Sequence, residues 1–202
     1  MGHSLVHVVD DDPAMRDSLG FLLDTEGFGV RLYADGADLL AGLGPVAEGC
    51  ILTDIRMPGI DGLELLRRLR ATGHELPVVM MTGHGDVSLA VAAMKLGACD
   101  FIEKPFDDTT LIQALRTALE RGGPAEATDP ALREFVRRVA TLSQRERQVL
   151  DHLVAGESSK DMGRALDISP RTVEIYRAKL MAKTQAASLQ ELVRWAVLAR
   201  LA

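Results

Sequence analysis

Acidic, hydroxyl and lysine side chains follow the short apolar segments in the first half of the chain. They are Asp10 and Asp11 after residues 5–9, Asp54 after residues 50–53, Thr82 after residues 77–81 and Lys104 after residues 99–103. A carboxylate can attack phosphorus as a nucleophile, a lysine can hold a phosphoryl oxygen as a point charge, and a hydroxyl can donate a hydrogen bond to another oxygen. The set therefore suits the transfer of a phosphoryl group to Asp54.

The three carboxylates also predict a metal site. Asp10, Asp11 and Asp54 would repel one another unless a cation lies between them. Their hard oxygen atoms suit Mg²⁺ or Mn²⁺, and Mg²⁺ takes few protein ligands and keeps several waters. Asp12 extends the acidic run, but Pro13 after it favours a role for Asp12 as the N-cap of a helix.

The elements that carry these residues alternate between strand and helix through residue 121. The apolar segments are short and bounded by polar or turn residues, as expected of buried parallel strands. Helices are predicted over residues 13–26, 35–43, 87–96 and 107–121 and from Asp61 onward, with a turn at 83–86 and a further strand at 28–33. Five strands alternating with five helices predict an α/β fold with a doubly wound, five-stranded parallel sheet of the flavodoxin-like kind. In such sheets the ligand crevice lies at the carboxyl ends of the strands.

Charge is divided unevenly along the 202 residues. Residues 1–122 carry 10 Lys and Arg against 19 Asp and Glu, whereas residues 123–202 carry 13 against 10. This asymmetry suggests two domains with different partners, and the net-basic second part suits nucleic acid.

Membrane and targeting segments are not expected. No apolar run approaches the ~20 residues of a membrane-spanning helix, and no basic N-terminal region precedes a long apolar stretch. The two cysteines, Cys50 and Cys99, lie inside or beside apolar strands. We interpret them as reduced core residues and expect a cytoplasmic protein.

The second half of the chain has helical periodicity after a break at residues 122–130. We expect a first domain over residues 1–121, a partly helical linker over 122–140 and a small all-α domain over 141–202. Ser143 with Glu146 and Ser188 with Glu191 have the spacing of capping boxes. Short helices at 159–166 and 171–183 are joined by residues 167–170, in which Ser169 is the expected N-cap, and together they predict a helix-turn-helix.

The second of these helices is the candidate DNA-reading helix. Val173, Tyr176 and Leu180 recur at helical spacing and should face the core. The residues expected at the major groove are Arg171, Thr172, Glu174, Ile175, Ala178 and Lys179, and those expected at phosphates are Lys160, Arg177 and Lys183. Groove residues read base edges, whereas phosphate contacts fix the register. The pattern leaves open an ordinary amphipathic helix with a solvated face.

Four motifs of the first half resemble those of the receiver domains of two-component response regulators. They are Val-Asp-Asp at 9–11, Thr-Asp-Ile-Arg-Met-Pro-Gly at 53–59, Met-Thr-Gly-His-Gly at 81–85 and Phe-Ile-Glu-Lys-Pro-Phe at 101–106. The resemblance covers residues 5–121. It implies that a histidine kinase phosphorylates Asp54. It also implies that Asp11, Asp54 and the backbone carbonyl of Arg56 ligate Mg²⁺, with Asp10 nearby.

The same resemblance implies a conformational switch. Thr82 would reorient toward the phosphoryl group on Asp54, and Phe101 would swing inward behind it. The peptide bond between Lys104 and Pro105 is expected to be cis, which is a property of bonds that precede proline.

The second half resembles the LuxR-type (GerE-type) four-helix DNA-binding domain. The resemblance is carried by residues 142–150, 168–174 and 179–183 and covers residues 140–202. Residues 159–163 depart from the usual pattern and place Gly163 inside a helix, where glycine costs about 1 kcal/mol relative to alanine. We therefore expect a slightly weak helix that Gly163→Ala would strengthen.

Both halves together resemble the FixJ branch of the FixJ/NarL class, most closely along residues 81–106. This resemblance implies a transcription activator that forms a homodimer when phosphorylated. The implied partners are a FixL-like sensor histidine kinase, promoter DNA and RNA polymerase, in an oxygen-responsive pathway of nitrogen fixation or microaerobic respiration. The dimer surface is expected at Val91, Lys95 and Phe101.

Three alternatives stay open at this point. The same architecture could answer a different signal. A Mg²⁺-dependent phosphohydrolase would need a further acid or base near Asp54, and Arg56 cannot serve as a base. A phosphate-independent DNA-binding protein with a degenerate receiver is disfavoured by the intact set of Asp54, Thr82 and Lys104.

Overall fold

The first half of the chain forms the sheet that the sequence predicts. The computed structural model describes residues 4–44, 47–83, 87–122 and 130–201. Within these residues the strands are β1 Leu5–Val9, β2 Gly29–Tyr33, β3 Cys50–Asp54, β4 Val78–Thr82 and β5 Asp100–Glu103. All of their pairings are parallel, in the order β2-β1-β3-β4-β5. The strand order reverses beside β1, as in doubly wound sheets, and the predicted fold class is confirmed.

The helices agree with the predicted ones apart from small differences at their ends. They are α1 Pro13–Thr25, α2 Gly36–Gly42, α3 Gly62–Ala71, α4 Val87–Lys95, α5 Asp108–Arg121, α6 Pro130–Val139, α7 Gln144–Val154, α8 Ser159–Leu166, α9 Pro170–Thr184 and α10 Leu189–Leu201. Residues 84–86 of the predicted turn and residues 123–129 of the predicted linker lie outside the described residues. In the part of the chain that the structure describes, no helix is long and apolar enough to cross a membrane.

Aspartate side chains cap the start of four helices in the first half. Asp12, Asp35, Asp61 and Asp107 precede α1, α2, α3 and α5, and each accepts a hydrogen bond from a backbone N–H of the first turn. Such N-caps satisfy donors that the helix itself cannot pair. Asp12 is therefore the N-cap that Pro13 predicts.

Both cysteines are buried in the core of the sheet and carry free thiols. Burial raises the pKa of the Cys50 thiol to about 12, so this group stays protonated and unreactive. The interpretation of Cys50 and Cys99 as reduced core residues is confirmed.

The chain packs as two compact units. One comprises residues 1–84 and 96–124 and contains the sheet, and the other comprises residues 85–95 and 125–202. Helix α4 belongs to the second unit in this division, although it connects β4 to β5 along the chain.

Helix α6 lies in the segment predicted as a partly helical linker. Its Leu132 and Phe135 side chains are buried, and the helix packs against α9 and α10. An amphipathic helix that buries its apolar face against a domain belongs to that domain. We therefore propose that the all-α domain begins with α6 rather than at residue 141.

The two predicted capping boxes differ in their outcome. Ser143 Oγ accepts from Glu146 N at 3.3 Å and Glu146 Oε2 accepts from Ser143 N at 2.8 Å, which confirms the first box. Before α10, Ser188 Oγ accepts from Glu191 N at 3.1 Å. Glu191 Oε2, however, accepts from Ala187 N at 2.6 Å, one residue earlier than a capping box requires.

Gly163 in α8 is required by a close approach of backbone. A Cβ atom at this position would lie 2.8 Å from the backbone oxygen of Ile168. The turn after α8 folds back tightly, because the Ile168 N–H donates to the Gly163 carbonyl at 2.9 Å. A methyl group would have to displace this backbone, so the expectation that Gly163→Ala strengthens the helix is wrong.

Candidate phosphoryl-acceptor site and DNA-reading helix

The candidate residues of the first half meet at one edge of the sheet. Asp10 follows β1, Asp54 ends β3, Thr82 ends β4 and Lys104 follows β5. These four strands are consecutive in the sheet, and the carboxyl ends of parallel strands lie at the same edge. The sheet therefore gathers residues that are far apart in the sequence.

Lys104 bridges two of the carboxylates. Its Nζ donates to Asp54 Oδ2 at 2.5 Å and to Asp10 Oδ2 at 3.0 Å. Asp10 is 1 % exposed, and the side chains of Asp54 and Lys104 are 14 % and 23 % exposed. In such a buried site the single ammonium offsets the repulsion between the two carboxylates.

The protonation of Lys104 reflects these contacts. Burial alone would lower the pKa of the ammonium, but the hydrogen bonds to Asp54 and Asp10 outweigh it, and the pKa lies above its ordinary value. Lys104 is thus held as a cation, which is the state needed to hold a phosphoryl oxygen.

The second oxygen of each carboxylate is held by backbone. Asp10 Oδ1 accepts from Asp12 N at 2.9 Å, and Asp54 Oδ1 accepts from Arg56 N at 2.9 Å. Each carboxylate therefore has one oxygen on an amide and the other on the ammonium of Lys104. This fixes the orientation of the Asp54 side chain before any reaction.

Gly62 allows α3 to approach the end of β3. A Cβ atom at Gly62 would lie 2.4 Å from the backbone oxygen of Asp54, and the Gly62 N–H donates to Ile55 O at 2.9 Å. Any side chain here would move the strand end, so Gly62 is a structural requirement of the site.

The predicted cluster of three carboxylates is not formed within the described residues. No group of three or more His, Cys, Asp or Glu side chains is arranged there to hold a metal ion. Asp10 and Asp54 converge on Lys104, whereas Asp11 is exposed. The chemistry of the predicted donors, which are the carboxylates of Asp11 and Asp54 and the backbone carbonyl of Arg56, still suits Mg²⁺, since this ion uses one or two carboxylates and keeps waters.

The predicted switch residues are both buried. Thr82 is 3 % exposed and Phe101 is 6 % exposed. Thr82 Oγ1 lies 3.5 Å from Gly83 O, a long contact that leaves the hydroxyl weakly held. The peptide bond between Lys104 and Pro105 is cis, as predicted.

The three residues expected at the dimer surface differ in exposure. Val91 is 2 % exposed and Phe101 is also buried, whereas Lys95 is exposed. Only Lys95 of this set presents a largely exposed side chain in this structure. The dimer surface stays a prediction.

Helix α9 buries most of the side predicted to face the core. Val173 and Leu180 have no exposed surface, and Tyr176 is partly exposed. Lys179 Nζ lies 5.4 Å from the centre of the Tyr176 ring, within range of a cation–π contact. The helix is therefore anchored by Val173 and Leu180.

The predicted groove-facing residues are largely open to solvent. The exposed ones are Arg171, Glu174, Ile175, Ala178 and Lys179, and Thr172 is partly exposed. Ile175 is 50 % exposed, and an apolar side chain on such a face can contact a thymine methyl group. Lys160, predicted at a phosphate, is also exposed.

Two of the predicted phosphate contacts are paired within the domain. Arg177 Nη1 donates to Glu174 Oε1 at 3.0 Å, the same oxygen that accepts from Ser159 Oγ at 2.6 Å. Lys183 Nζ donates to Glu146 Oε2 at 2.7 Å. The hydrogen bond from Lys183, followed by that from the Ser143 N–H, holds the pKa of Glu146 at about 2. In this structure both cations therefore also stabilise the domain.

Two family models match the chain. The model of the response regulator receiver domain matches residues 6–116, and the model of bacterial regulatory proteins of the luxR family matches residues 140–196. The transcriptional regulatory protein FixJ of Azorhizobium caulinodans is 55 % identical over 197 residues, which cover 98 % of this chain and 93 % of that protein. FixJ of Bradyrhizobium diazoefficiens is 53 % identical over 196 residues, with 97 % and 95 % covered. This chain belongs to the FixJ-type response regulators.

The solved structures agree with this membership. A crystal structure of full-length FixJ from B. japonicum has a TM-score of 0.58 and 50 % identity, and the match covers 100 % of both chains. As a member of the family, the chain is a two-component transcription regulator with a receiver domain and a LuxR-type DNA-binding domain. Receiver domains generally bind Mg²⁺ for phosphorylation.

Some contacts of the two sites have no clear signal in the sequence. Arg16 Nη1 donates to the backbone oxygen of Asp10 at 2.6 Å, and thus supports the acidic edge from α1. Arg138 of α6 donates to the backbone oxygen of Thr184 at 3.0 Å, although 46 residues separate them. An arginine on a helix can reach many acceptors, so only the packing of the elements reveals which one it contacts.

Proposed function

We propose that a sensor histidine kinase phosphorylates Asp54 and that the phosphorylated chain forms a homodimer that binds promoter DNA and activates transcription. The observation that supports this most directly is the bridge from Lys104 to Asp54 and Asp10 at one edge of the sheet. It places a nucleophilic carboxylate and a cation in contact within a largely buried site.

In the proposed reaction a carboxylate oxygen of Asp54 attacks the phosphorus of the donor. One P–O bond to Asp54 forms, and the P–N bond of a phosphohistidine, or the P–O bond of a small acyl phosphate, breaks. Lys104 then exchanges its contact with Asp54 Oδ2 for a phosphoryl oxygen. Backbone contact from Arg56 N holds the other oxygen of Asp54, so the attacking group stays oriented.

The metal of this site would be held by Asp11, Asp54 and the backbone carbonyl of Arg56, with Asp10 nearby. We propose Mg²⁺, or Mn²⁺ in its place, because all of these donors are hard oxygen atoms. When bound, such an ion neutralises charge on the transferring group. Two carboxylates are already paired with Lys104, so the ion would add its charge to a site that is partly neutralised.

Phosphorylation adds about −1.5 to −2 charges at the end of β3. Thr82 can donate its weakly held hydroxyl to the new phosphoryl oxygens, and Phe101 on the adjacent strand β5 can follow this change. We propose that this shift favours the dimeric state and keep Val91, Lys95 and Phe101 as the residues expected at the dimer surface. The mechanism is a population shift, which needs a free-energy difference of a few kcal/mol between the states.

A dimer would present two copies of α9 to paired half-sites. Ile175, Ala178 and Glu174 would face base edges, with Arg171, Thr172 and Lys179 beside them, and Lys160 at a phosphate. Lys183 and Arg177 would serve mainly within the domain and contact phosphates secondarily.

The identity of the named relatives suggests the pathway. We propose a FixL-like sensor kinase as the partner, RNA polymerase as the target of activation, and oxygen-responsive control of nitrogen fixation or microaerobic respiration. We also propose that the chain acts as a regulator rather than as a phosphohydrolase, because Arg56 cannot serve as the second acid or base that turnover needs.

Mass spectrometry after treatment with acetyl phosphate and Mg²⁺ tests the acceptor. Wild type should gain the mass of one phosphoryl group and then bind a duplex selected from a random DNA library. Asp54→Asn should do neither. Asp61→Asn is the matched control, since it removes one carboxylate nearby while asparagine still caps α3. If treated Asp54→Asn binds the selected duplex as tightly as treated wild type, the switch is misassigned.

A further inference from the structure

Helix α6 contacts the C-terminal end of the DNA-reading helix. Arg138 Nη1 donates to Thr184 O, the last carbonyl of α9, at 3.0 Å. The last carbonyls of a helix have no partner inside the helix, and its C-terminus carries a partial negative charge. The Arg138 guanidinium satisfies one such carbonyl, and its positive charge interacts favourably with the partial negative charge of the helix end.

Arg138 is held in place from within α6. Its Nε donates to Glu134 Oε1 at 3.1 Å, one turn earlier on the same helix, and the side chain is 32 % exposed. Leu132 and Phe135 anchor α6 in the core of this unit. The guanidinium is therefore supported by a helix that is itself fixed.

The same end of α9 is held from a second direction. Lys183 Nζ donates to Glu146 Oε2 on α7, and Thr184 is 2 % exposed, with its Oγ1 donating to Leu180 O at 2.7 Å. The groove-facing residues near the N-terminal end of α9 are largely exposed. The C-terminal end is thus held by α6 and α7, in addition to the burial of Val173 and the hydrogen bond from Ser159 Oγ to Glu174 nearer the N-terminal end. The contacts at the C-terminal end therefore help to set the angle at which α9 projects.

We propose that Arg138 is a positioning residue for DNA recognition, which fixes the angle of α9 from α6 without touching DNA. This rests on the proposed DNA-reading role of α9. Helix α6 lies within residues 122–140, the segment predicted as the linker between the two domains, and follows residues 123–129 along the chain. It follows that the orientation of α9 is tied to the segment through which the receiver connects to the DNA-binding domain.

Arg137 provides a matched control. It lies next to Arg138, carries the same charge and pairs with the same Glu134, through Oε2 at 3.0 Å, but its side chain is 75 % exposed. Replacing either arginine with methionine removes one positive charge and keeps the aliphatic stem. Only Arg138→Met removes the contact with α9.

The test uses the full chain, treated with acetyl phosphate and Mg²⁺, and two duplexes: one selected from a random library and a scrambled version of it. Arg138→Met should weaken binding of the selected duplex about tenfold and leave binding of the scrambled duplex unchanged. Arg137→Met should change neither. Arg138→Lys, which keeps a donor at the same place, should recover part of the loss.

The outcomes separate the possible roles of Arg138. A direct phosphate contact would weaken both duplexes alike and reduce the salt dependence, which overturns the proposal. The proposal is also overturned if Arg138→Met has the same ratio of affinities for the two duplexes as wild type. If Arg138→Met shows no thermal unfolding transition, it is not folded and cannot be used. Arg138→Lys is then compared with wild type by the ratio of the affinities for the selected and the scrambled duplex. If no duplex can be selected from the random library with treated wild type, the DNA-reading role of α9 is refuted instead.

Discussion

Replacement of Glu146 by glutamine should destabilise the DNA-binding domain in a pH-dependent way. Glu146 is 4 % exposed and accepts from Lys183 Nζ at 2.7 Å and from Ser143 N at 2.8 Å. Glutamine keeps the shape and one acceptor oxygen but removes the charge. The variant therefore isolates the charge of the carboxylate from the packing of its side chain.

The magnitude follows from the pKa of Glu146. Its pKa falls from an ordinary 4.5 to about 2, and each pKa unit corresponds to about 1.4 kcal/mol. This gives roughly 3.5 kcal/mol as an upper limit for the charged state. The side chain of Lys183 is 44 % exposed, so solvent screens part of the attraction, and we expect a loss of about 2 kcal/mol near neutral pH.

The direction of the pH dependence is fixed by the sign of the shift. The pKa of Glu146 is lower in the folded state, so its charge stabilises the fold above the ordinary value of 4.5. This stabilisation is lost as the pH falls from 4.5 toward about 2. The difference between wild type and Glu146→Gln should thus be constant above about pH 5 and shrink markedly by about pH 3.

Urea denaturation followed by tryptophan fluorescence measures this difference. Trp195 is the one tryptophan of the chain, it is 7 % exposed, and it lies in α10 of the same compact unit as Glu146. Glu134→Gln is the control, because Glu134 is 44 % exposed and its ion pairs should contribute less than about 1 kcal/mol. If the free energy of unfolding differs between wild type and Glu146→Gln by the same amount above about pH 5 and at about pH 3, the charge argument is refuted.

Two further predictions concern Lys104 and Gly163. Lys104→Met should abolish phosphoryl uptake from acetyl phosphate. In wild type the raised pKa of Lys104 means that its stabilising contacts persist below its ordinary value of 10.5 and are lost as the pH rises through the higher folded value. If wild type and Lys104→Met lose stability equally steeply as the pH rises into the alkaline range, this expectation is contradicted. Gly163→Ala should lower the urea midpoint, reported by Trp195, by the equivalent of about 1–3 kcal/mol, because the Cβ atom would lie 2.8 Å from Ile168 O. A urea midpoint above that of wild type would show that the turn after α8 can move to accommodate the methyl group.

The positions of strands and helices could be predicted from local patterns in the sequence. Short apolar segments with polar ends predict the strands, and Asp12, Asp61 and Asp107 predict helix starts, because capping chemistry acts over a few residues. The site could be predicted for the same reason, since parallel strands bring their carboxyl ends to one edge whatever their separation along the chain.

The contacts of long side chains could not be predicted in this way. Lys104 was expected to hold a phosphoryl oxygen, yet it bridges Asp10 and Asp54 in this structure. Lys183 was expected at a phosphate, yet it pairs with Glu146. A lysine or arginine can reach several partners, and three-dimensional packing decides among them.

Gly163 shows the limit of propensity as a guide. Its intrinsic cost in a helix is a local quantity, but the close approach of the Ile168 carbonyl is a tertiary one that reverses the expected effect of a methyl group. The segment 130–139 shows the same limit, because its helical pattern does not reveal that Leu132 and Phe135 are buried in the second unit.

We propose above that phosphorylation of Asp54 converts the chain to a dimer. Light scattering of the full chain with Mg²⁺, before and after acetyl phosphate, measures this directly, with Asp54→Asn and Asp61→Asn treated in parallel. We expect the molar mass to double in wild type and Asp61→Asn and to stay that of a monomer in Asp54→Asn. An unchanged mass in phosphorylated wild type, or a doubled mass in Asp54→Asn, would contradict it.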